Sequence, residues 1–230
     1  MMLRSALRAS ETLRGGDLMT AEVGVFRVGD VVKGRPVPMA KWHITTGDPE
    51  VAAKVHELLG GDGPQEWASK GEDNIEVFTA SSTVDIIIEK AKDLRQRMVL
   101  WGRSGKPIYV SDGEHLLDDQ GHPTEERDPD ADLSFAERKA KKDIGAIPDI
   151  DLFFRLADEP DLGVFKFKTG SWGFASDLAY NGVESELGSA EGPVKATLTL
   201  SPVSFVAKNG PRKGQTVSYT KSELVIKGAA

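Results

Sequence analysis

The chain has 230 residues, of which 39% are hydrophobic and 28% are charged, and it contains no cysteine. This composition is typical of a folded globular protein with one substantial core, and it predicts one large domain rather than two small ones. The lack of cysteine excludes disulfides, thiolate nucleophiles and thiolate zinc sites. A net charge of -7 argues against nucleic acid as a partner, unless the positive charges are concentrated in one part of the surface.

The charge is distributed unevenly along the chain. Residues 111–132 hold nine acids and one base, for a local charge of -8. From Val194 to the C-terminus there are six bases and one acid, for a local charge of +5. Residues 112–132 therefore read as a solvated acidic loop, and the C-terminal segment is locally basic.

Residues 1–22 are expected to form a flexible N-terminal extension, followed by a single domain over 23–230. Val23–Val32 and Trp42–Thr45 are rich in strand-forming residues and are predicted to be edge strands. A helix should follow, because Asp48 can cap its N-terminus, Pro49 suits the first helical position and Gly60 supplies a stop.

The middle of the chain is predicted to form hairpins between neighbouring segments. The runs Ile75–Thr79 and Val84–Ile88 are expected to pair with each other, as are Met98–Trp101 and Pro107–Val110. Ser134 and Glu137 have capping-box spacing and predict a short charged helix.

The C-terminal third shows two further strand pairs around a helix. Asp151–Ala157 should pair with Gly163–Lys168, Trp172–Leu187 should be helical, and Val194–Ala207 should form a long hairpin with Gln215–Lys227. The resulting prediction of fold class is α+β, with antiparallel sheets, two or three helices and a long C-terminal β-hairpin.

Catalytic and metal-binding signatures are not found in the sequence. Gly102–Lys106 is followed by Pro107 where a P-loop needs Ser or Thr, and the four histidines are scattered. One alternative stays open: a metal-dependent enzyme using the carboxylates and histidines of residues 112–126, although their spacing matches no standard loop. The prediction is a protein without catalytic residues, metal or cofactor, and hence not an enzyme.

The basic C-terminal hairpin is the candidate for DNA contact. Lys208, Arg212, Lys213 and Lys221 lie at or near its tip, where they would contact phosphates in the manner of a β-ribbon. The competing interpretation is that these lysines only keep an exposed strand edge from pairing with other chains.

An ordered series of short motifs covers residues 25 to 227. It runs through Phe26–Asp30, Gly34–Pro38, Trp42–Asp48, Leu59–Gly61, Trp67, Glu76–Thr79, Leu100–Gly102, Ser111–Glu114, Ile150–Leu156, Pro160–Phe165, Gly170 and Trp172. The series resembles one family, the recombination directionality factors of actinobacterial phages that use large serine integrases. The stretch from Ile150 to Phe165 is the most specific part of the series.

The resemblance implies a regulator that binds a phage serine integrase on attachment-site DNA and favours excision over integration. Aromatic residues are enriched in protein interfaces, so Trp101, Phe165 and Trp172 are the candidates for the partner interface, with core packing as the alternative for each. Such a protein would work in the cytoplasm of the bacterial host, and no apolar run here reaches the roughly 20 residues of a membrane span.

One departure from the family pattern concerns metal binding. Members of the family place cysteines around the stretch that matches Ser111–Glu114, which suggests a small metal knuckle, and this chain has none. The second function that the sequence leaves open is a single-stranded or non-specific nucleic-acid-binding accessory protein of phage replication, based on the basic hairpin.

Overall fold

The computed structural model describes residues 22–32, 35–68, 71–210 and 213–230. The predicted N-terminal extension, residues 1–22, lies outside this range except for its last residue. Within the described residues, no helix is both long and apolar enough to cross a membrane.

The described residues form thirteen strands and four α-helices. The strands are β1 Gly24–Val32, β2 Arg35–Thr46, β3 Gln65–Glu66, β4 Ile75–Phe78, β5 Thr83–Ile88, β6 Leu94–Trp101, β7 Pro107–Ser111, β8 His115–Leu117, β9 Pro123–Arg127, β10 Ile147–Leu156, β11 Phe165–Thr169, β12 Val194–Val206 and β13 Thr216–Ala229. The helices are α1 Pro49–Leu59, α2 Phe135–Ala140, α3 Trp172–Tyr180 and α4 Val183–Ser189, and short 3₁₀ turns occupy Ala91–Asp93, Lys142–Ile144 and Pro160–Leu162.

The predicted fold class is wrong, because the protein is mostly sheet. Strands make up 46% of the structure and helices 21%, and the described strands join into one mixed sheet of thirteen. Its main path runs β3-β4-β2-β1-β11-β10-β6-β7-β8-β9, and β1 pairs with β11 in parallel. A parallel pair between strands so far apart in the chain leaves no local signature in the sequence, which is why periodicity could not reveal it.

Strand β10 is the point at which the sheet branches. On one side of β10, Ile150–Phe154 pair with β11, and on the other side Ile147–Leu152 pair with β6. The last two residues of the strand, Arg155 and Leu156, pair with β5. Strand β5 then pairs with β12, and β12 with β13. The C-terminal hairpin is therefore attached to the main sheet through β5.

The core lies against one face of this sheet. Along β10 the residues Ile150, Leu152, Phe154 and Leu156 are buried in the hydrophobic cluster, as the alternation of side chains along a strand requires. The ring of Phe26 packs edge-on against Trp42, Phe154 and Phe165 at centroid distances of 5.2–5.5 Å. Such aromatic contacts stabilise the fold beyond the effect of burial alone.

The local helix signals of the sequence are confirmed. The Asp48 side chain accepts hydrogen bonds from the amides of Glu50 and Val51 at the start of α1, and Ser134 and Glu137 form the capping box of α2. The single helix predicted over Trp172–Leu187 is instead two helices. The chain breaks at Gly182, whose φ of +65° is left-handed and suits glycine.

Three of the four strand pairs predicted from the sequence are present. The β6–β7, β10–β11 and β12–β13 pairs are present as expected. The predicted pair of β4 with β5 is wrong: β4 pairs with β2 and β3, and β5 with β10 and β12. The prediction that β1 and β2 are edge strands is also wrong, because each has a neighbour on both sides.

Candidate interaction surface

The distal part of the C-terminal hairpin extends beyond the core. On β12 the last core residue is Leu200, whose partner on β13 is Ser222. We refer to residues 201–221 as the arm. Phe205 and Tyr219 lie on one face of the arm with 49% and 46% of their surfaces exposed, and their rings contact edge-on at a centroid distance of 6.5 Å.

The four candidates for DNA contact have different environments. Lys208 and Lys213 are exposed near the tip of the arm, and Arg212 lies outside the described residues. Lys221 is engaged elsewhere, because its Nζ lies 2.9 Å from Asp177 of α3 and 2.9 Å from Glu223. Of the described candidates, Lys208 and Lys213 are thus the two that the arm presents directly to solvent.

Lys221 connects the base of the arm to α3. Its hydrogen bonds to Asp177 and Glu223 raise the pKa of its ammonium group. The hydrogen bond from Lys221, together with one that the Ser201 hydroxyl donates at 3.0 Å, lowers the pKa of Glu223. A second connection links the arm to β2, because the Thr220 hydroxyl donates to the Met39 carbonyl at 2.9 Å. These contacts set the direction in which the arm projects.

The three aromatic candidates for a partner interface are also separated. Trp101 is 42% exposed at the end of β6, and Trp172 is half-buried against the exposed Phe135, with ring centroids 5.2 Å apart. Phe165 is fully buried in the aromatic core, so it forms no part of the surface. Its place in the motif series reflects packing between β11 and β1.

A groove of about 910 Å³ lies between the arm and the start of the sheet. Strands β1 and β2 contribute Val28 and Val37, each 39% exposed, and β13 contributes Tyr219. Arg27 and Lys168 supply positive charge to the lining. None of the described residues that line the groove is Asp or Glu.

Two neighbours, Trp67 and Thr45, hold Arg27 in place at the wall of the groove. Its guanidinium carbon lies 5.0 Å from the centre of the Trp67 ring, and its Nε donates to the Thr45 hydroxyl at 3.1 Å. Burial lowers the pKa of Arg27, and the nearby Asp73 partly opposes this shift. Arg27 nevertheless remains a cation near neutral pH, because a guanidinium group is not deprotonated in proteins.

A ladder of charges covers the sheet face opposite the core. Asp149 and Asp151 of β10 are buried, and Arg97 of β6 bridges them with Nη2–Oδ2 distances of 2.6 and 2.8 Å. From β11, Lys168 lies 2.7 Å from Asp149 and Lys166 lies 3.4 Å from Asp151. These pairs neutralise the two acids and leave the face with an excess of positive charge.

The acidic segment is a folded extension of the sheet, so its prediction as a loop is wrong. It contains β8 and β9, and Asp128 and Asp130 are buried rather than solvated. Asp128 accepts a hydrogen bond from the Ser111 hydroxyl and pairs with Arg138 of α2 at 3.3 Å. Among the described residues, no group of three or more His, Asp or Glu side chains is arranged to hold a metal ion.

A second cleft, of about 1010 Å³, lies between β6–β7 and this acidic extension. Its lining includes the bases Lys92, Arg97 and Lys106 but also the acids Asp112 and Asp118. The two clefts therefore differ in character, because the groove beside the arm combines positive charge with apolar side chains and has no acid in its described lining.

Comparison with known protein families identifies the family of this chain. A family model described as Gp3-like, recombination directionality factor-like, matches residues 23–225. That range runs from the start of β1 into β13, so the chain belongs to this recombination directionality factor-like family. The family consists of regulatory, non-catalytic proteins of phage recombination. No solved structure matches the chain.

Sequence reasoning missed the residues of the groove. The sequence places Arg27 and Val28 in a predicted edge strand, Val37 in the extended segment before Trp42, and Tyr219 within a long hairpin, and it gives none of them a role in binding. A signal was present in β12 and β13, where Val203 and Phe205 pair with Tyr219 and Val217 on one face of a segment that has no acid. Apolar cross-strand pairs that lie beyond the core indicate a surface that is covered when a partner binds.

Proposed function

We propose that this protein is a recombination directionality factor that binds a phage serine integrase on attachment-site DNA and favours excision over integration. The observation that carries the proposal is the family match, which spans nearly every element of the fold. The arm and the adjacent groove support a binding function, because they offer an exposed surface that is both apolar and basic.

The energetics of this function require selective binding. A ligand shifts an equilibrium between two integrase arrangements only by the difference in its affinity for them. Moving a population from 1:99 to 99:1 needs a preference of about 10⁴-fold. In this proposal the integrase performs all DNA cleavage and rejoining, and the directionality factor supplies the preference.

The test is recombination by the purified integrase encoded in the same genome. Substrates carry either the attachment sites of integration or those of excision, and each is assayed with and without this protein. We expect excision to rise and integration to fall when the protein is added, together with a supershift of the integrase–DNA complex. Unchanged direction and no supershift would contradict the proposal.

A nucleic-acid-binding accessory protein is the second candidate, favoured by the exposed Lys208 and Lys213 at the tip of the arm. Binding by a few lysines is weak and falls as salt is raised. Salt-sensitive binding of the protein alone to single-stranded DNA, with no effect on recombination by the integrase, would favour this function.

A further inference from the structure

The groove beside the arm combines two properties of a protein-binding site, exposed apolar side chains and net charge of one sign. Val28, Val37 and Tyr219 are large apolar or aromatic side chains with 39–46% of their surfaces exposed, and all three line the groove. Phe205 continues this apolar surface along the arm through its ring contact with Tyr219. Aromatic anchors of this kind supply much of the binding energy of protein interfaces.

The charge of the same region determines what kind of partner it accepts. Residues 201–221 of the arm contain four bases and no acid, in a chain whose net charge is -7, and one of the four, Lys221, is already paired with Asp177 and Glu223. Lys208 and Lys213 are exposed at the tip, and Lys168 and Arg27 contribute to the groove itself. Each of these two groove cations has an acid near it that does not line the groove: Asp149, buried in the charge ladder, pairs with Lys168, and Asp73 lies near Arg27.

Duplex DNA matches only half of this surface. Phosphates would neutralise the lysines, but a duplex, whose bases are stacked on each other, would leave the exposed valines and the Phe205–Tyr219 pair without an apolar partner. A single strand could stack bases on the two rings but would still leave Val28 and Val37 without an apolar partner. A protein segment with acidic residues on one side and apolar residues on the other matches both parts, and charge complementarity of this kind sets orientation and association rate.

We infer that the groove between the arm and strands β1–β2 is the docking site for an acidic, apolar-faced segment of the partner protein, with Tyr219 and Phe205 as its anchors. The inference rests on the proposed function, because it takes the partner to be the serine integrase. It assigns the docking to the arm and the groove, and not to Trp101 or to the Phe135–Trp172 pair.

The test measures the affinity of the purified integrase for variants of this protein. In the first variant, Phe205→Thr and Tyr219→Thr remove the anchors and keep residues that favour strands. The expected result is a dissociation constant raised by about 10-fold or more. Val28→Thr tests the opposite side of the groove and should weaken binding in the same direction.

Matched controls come from the same hairpin. Val225 is 50% exposed on β13 close to the core, so Val225→Thr removes an exposed apolar side chain outside the groove and should leave affinity unchanged. Lys208→Glu with Lys213→Glu should weaken binding at low salt, whereas Lys195→Glu, at an exposed position near the start of β12, should have much less effect. Circular dichroism and thermal unfolding verify that each variant is folded.

The outcomes separate the inference from the proposed function. If wild-type protein binds the integrase and reverses recombination but the Phe205→Thr, Tyr219→Thr variant binds within 2-fold of wild type, then the docking site is elsewhere and the proposed function stands. If wild-type protein neither binds nor affects recombination, both fail. DNA binding by the protein alone that depends on Lys208 and Lys213, with the aromatic substitutions silent, would identify a nucleic-acid surface and overturn the inference.

Discussion

Lys221 of β13 and Asp177 of α3 form an ion pair at 2.9 Å that joins the base of the arm to the helix beside it. Glu223 and, through it, Ser201 complete the same network at 2.9 and 3.0 Å. A lysine that the sequence suggested as a DNA contact therefore supports the arm. This relationship makes the position of the arm testable independently of any partner.

Replacing Lys221 with Met should loosen the arm more than it destabilises the whole protein. The pair is partly exposed, so we expect a loss of about 1 kcal/mol in the free energy of unfolding. Hydrogen exchange of amides in residues 201–221 should increase, since the link to Asp177 is lost. Lys227→Met, at an exposed position of the same strand, is the control, and equal exchange in the two variants would show that Lys221 does not hold the arm.

The network also predicts a dependence of stability on pH. Hydrogen bonds from Lys221 and Ser201 lower the pKa of Glu223 below its usual value near 4.5 in the folded protein. Its contribution to stability is therefore complete above pH 4.5 and is lost as the pH falls through the lowered pKa. The difference in unfolding free energy between wild type and Glu223→Gln should be constant from pH 6 to 5 and shrink below pH 4.5; a difference that grows in acid would refute this.

The buried pair of Asp128 and Arg138 should be essential for the acidic extension. The Asp128 side chain is fully buried, and Arg138 both pairs with it and donates to the Gly113 carbonyl at 2.6 Å. Arg138→Met leaves a buried carboxylate without its cation, which costs about 3 kcal/mol or more. Denaturant unfolding measures the loss, and adding Asp128→Asn to the variant should recover part of it because the unpaired charge is removed.

Gly61 should not tolerate a side chain. Its φ of +99° is left-handed, and a Cβ would lie 2.0 Å from the Phe78 carbonyl oxygen. Gly61→Ala therefore forces the turn after α1 away from β4, with a cost of about 2 kcal/mol or more from backbone strain and the clash. Gly63→Ala is the control because nothing lies within 4 Å of its added Cβ; similar melting temperatures for the two variants would contradict this geometry.

Local features of the fold could be predicted from the sequence wherever the determining interactions are close in the chain. Asp48 caps α1 through amides two and three residues away, and the β6–β7 and β12–β13 partners are joined by single turns. In these cases the residues that decide the structure are visible together in one window of sequence.

The candidate site could be predicted only in part. The basic character of the C-terminal hairpin was apparent from composition, and Lys208 and Lys213 are exposed as that interpretation requires. The sequence did not show that Lys221 is paired and Phe165 is buried, because their partners are distant in the chain. Asp177 is 44 positions from Lys221, and Phe26 is 139 positions from Phe165. Whether a charged or aromatic residue faces solvent depends on partners that sequence periodicity does not identify.

The sequence by itself determined the helix caps, the hairpin turns, the family resemblance and the uneven distribution of charge. Only the tertiary structure decided that β1 pairs in parallel with β11, that β5 joins β10 to β12, and that Val28, Val37 and Tyr219 line one groove. The physical reason is the range of the interactions. Caps and turns are formed by neighbours, whereas strand order and the surfaces it creates result from the burial of apolar faces by segments that are distant in sequence.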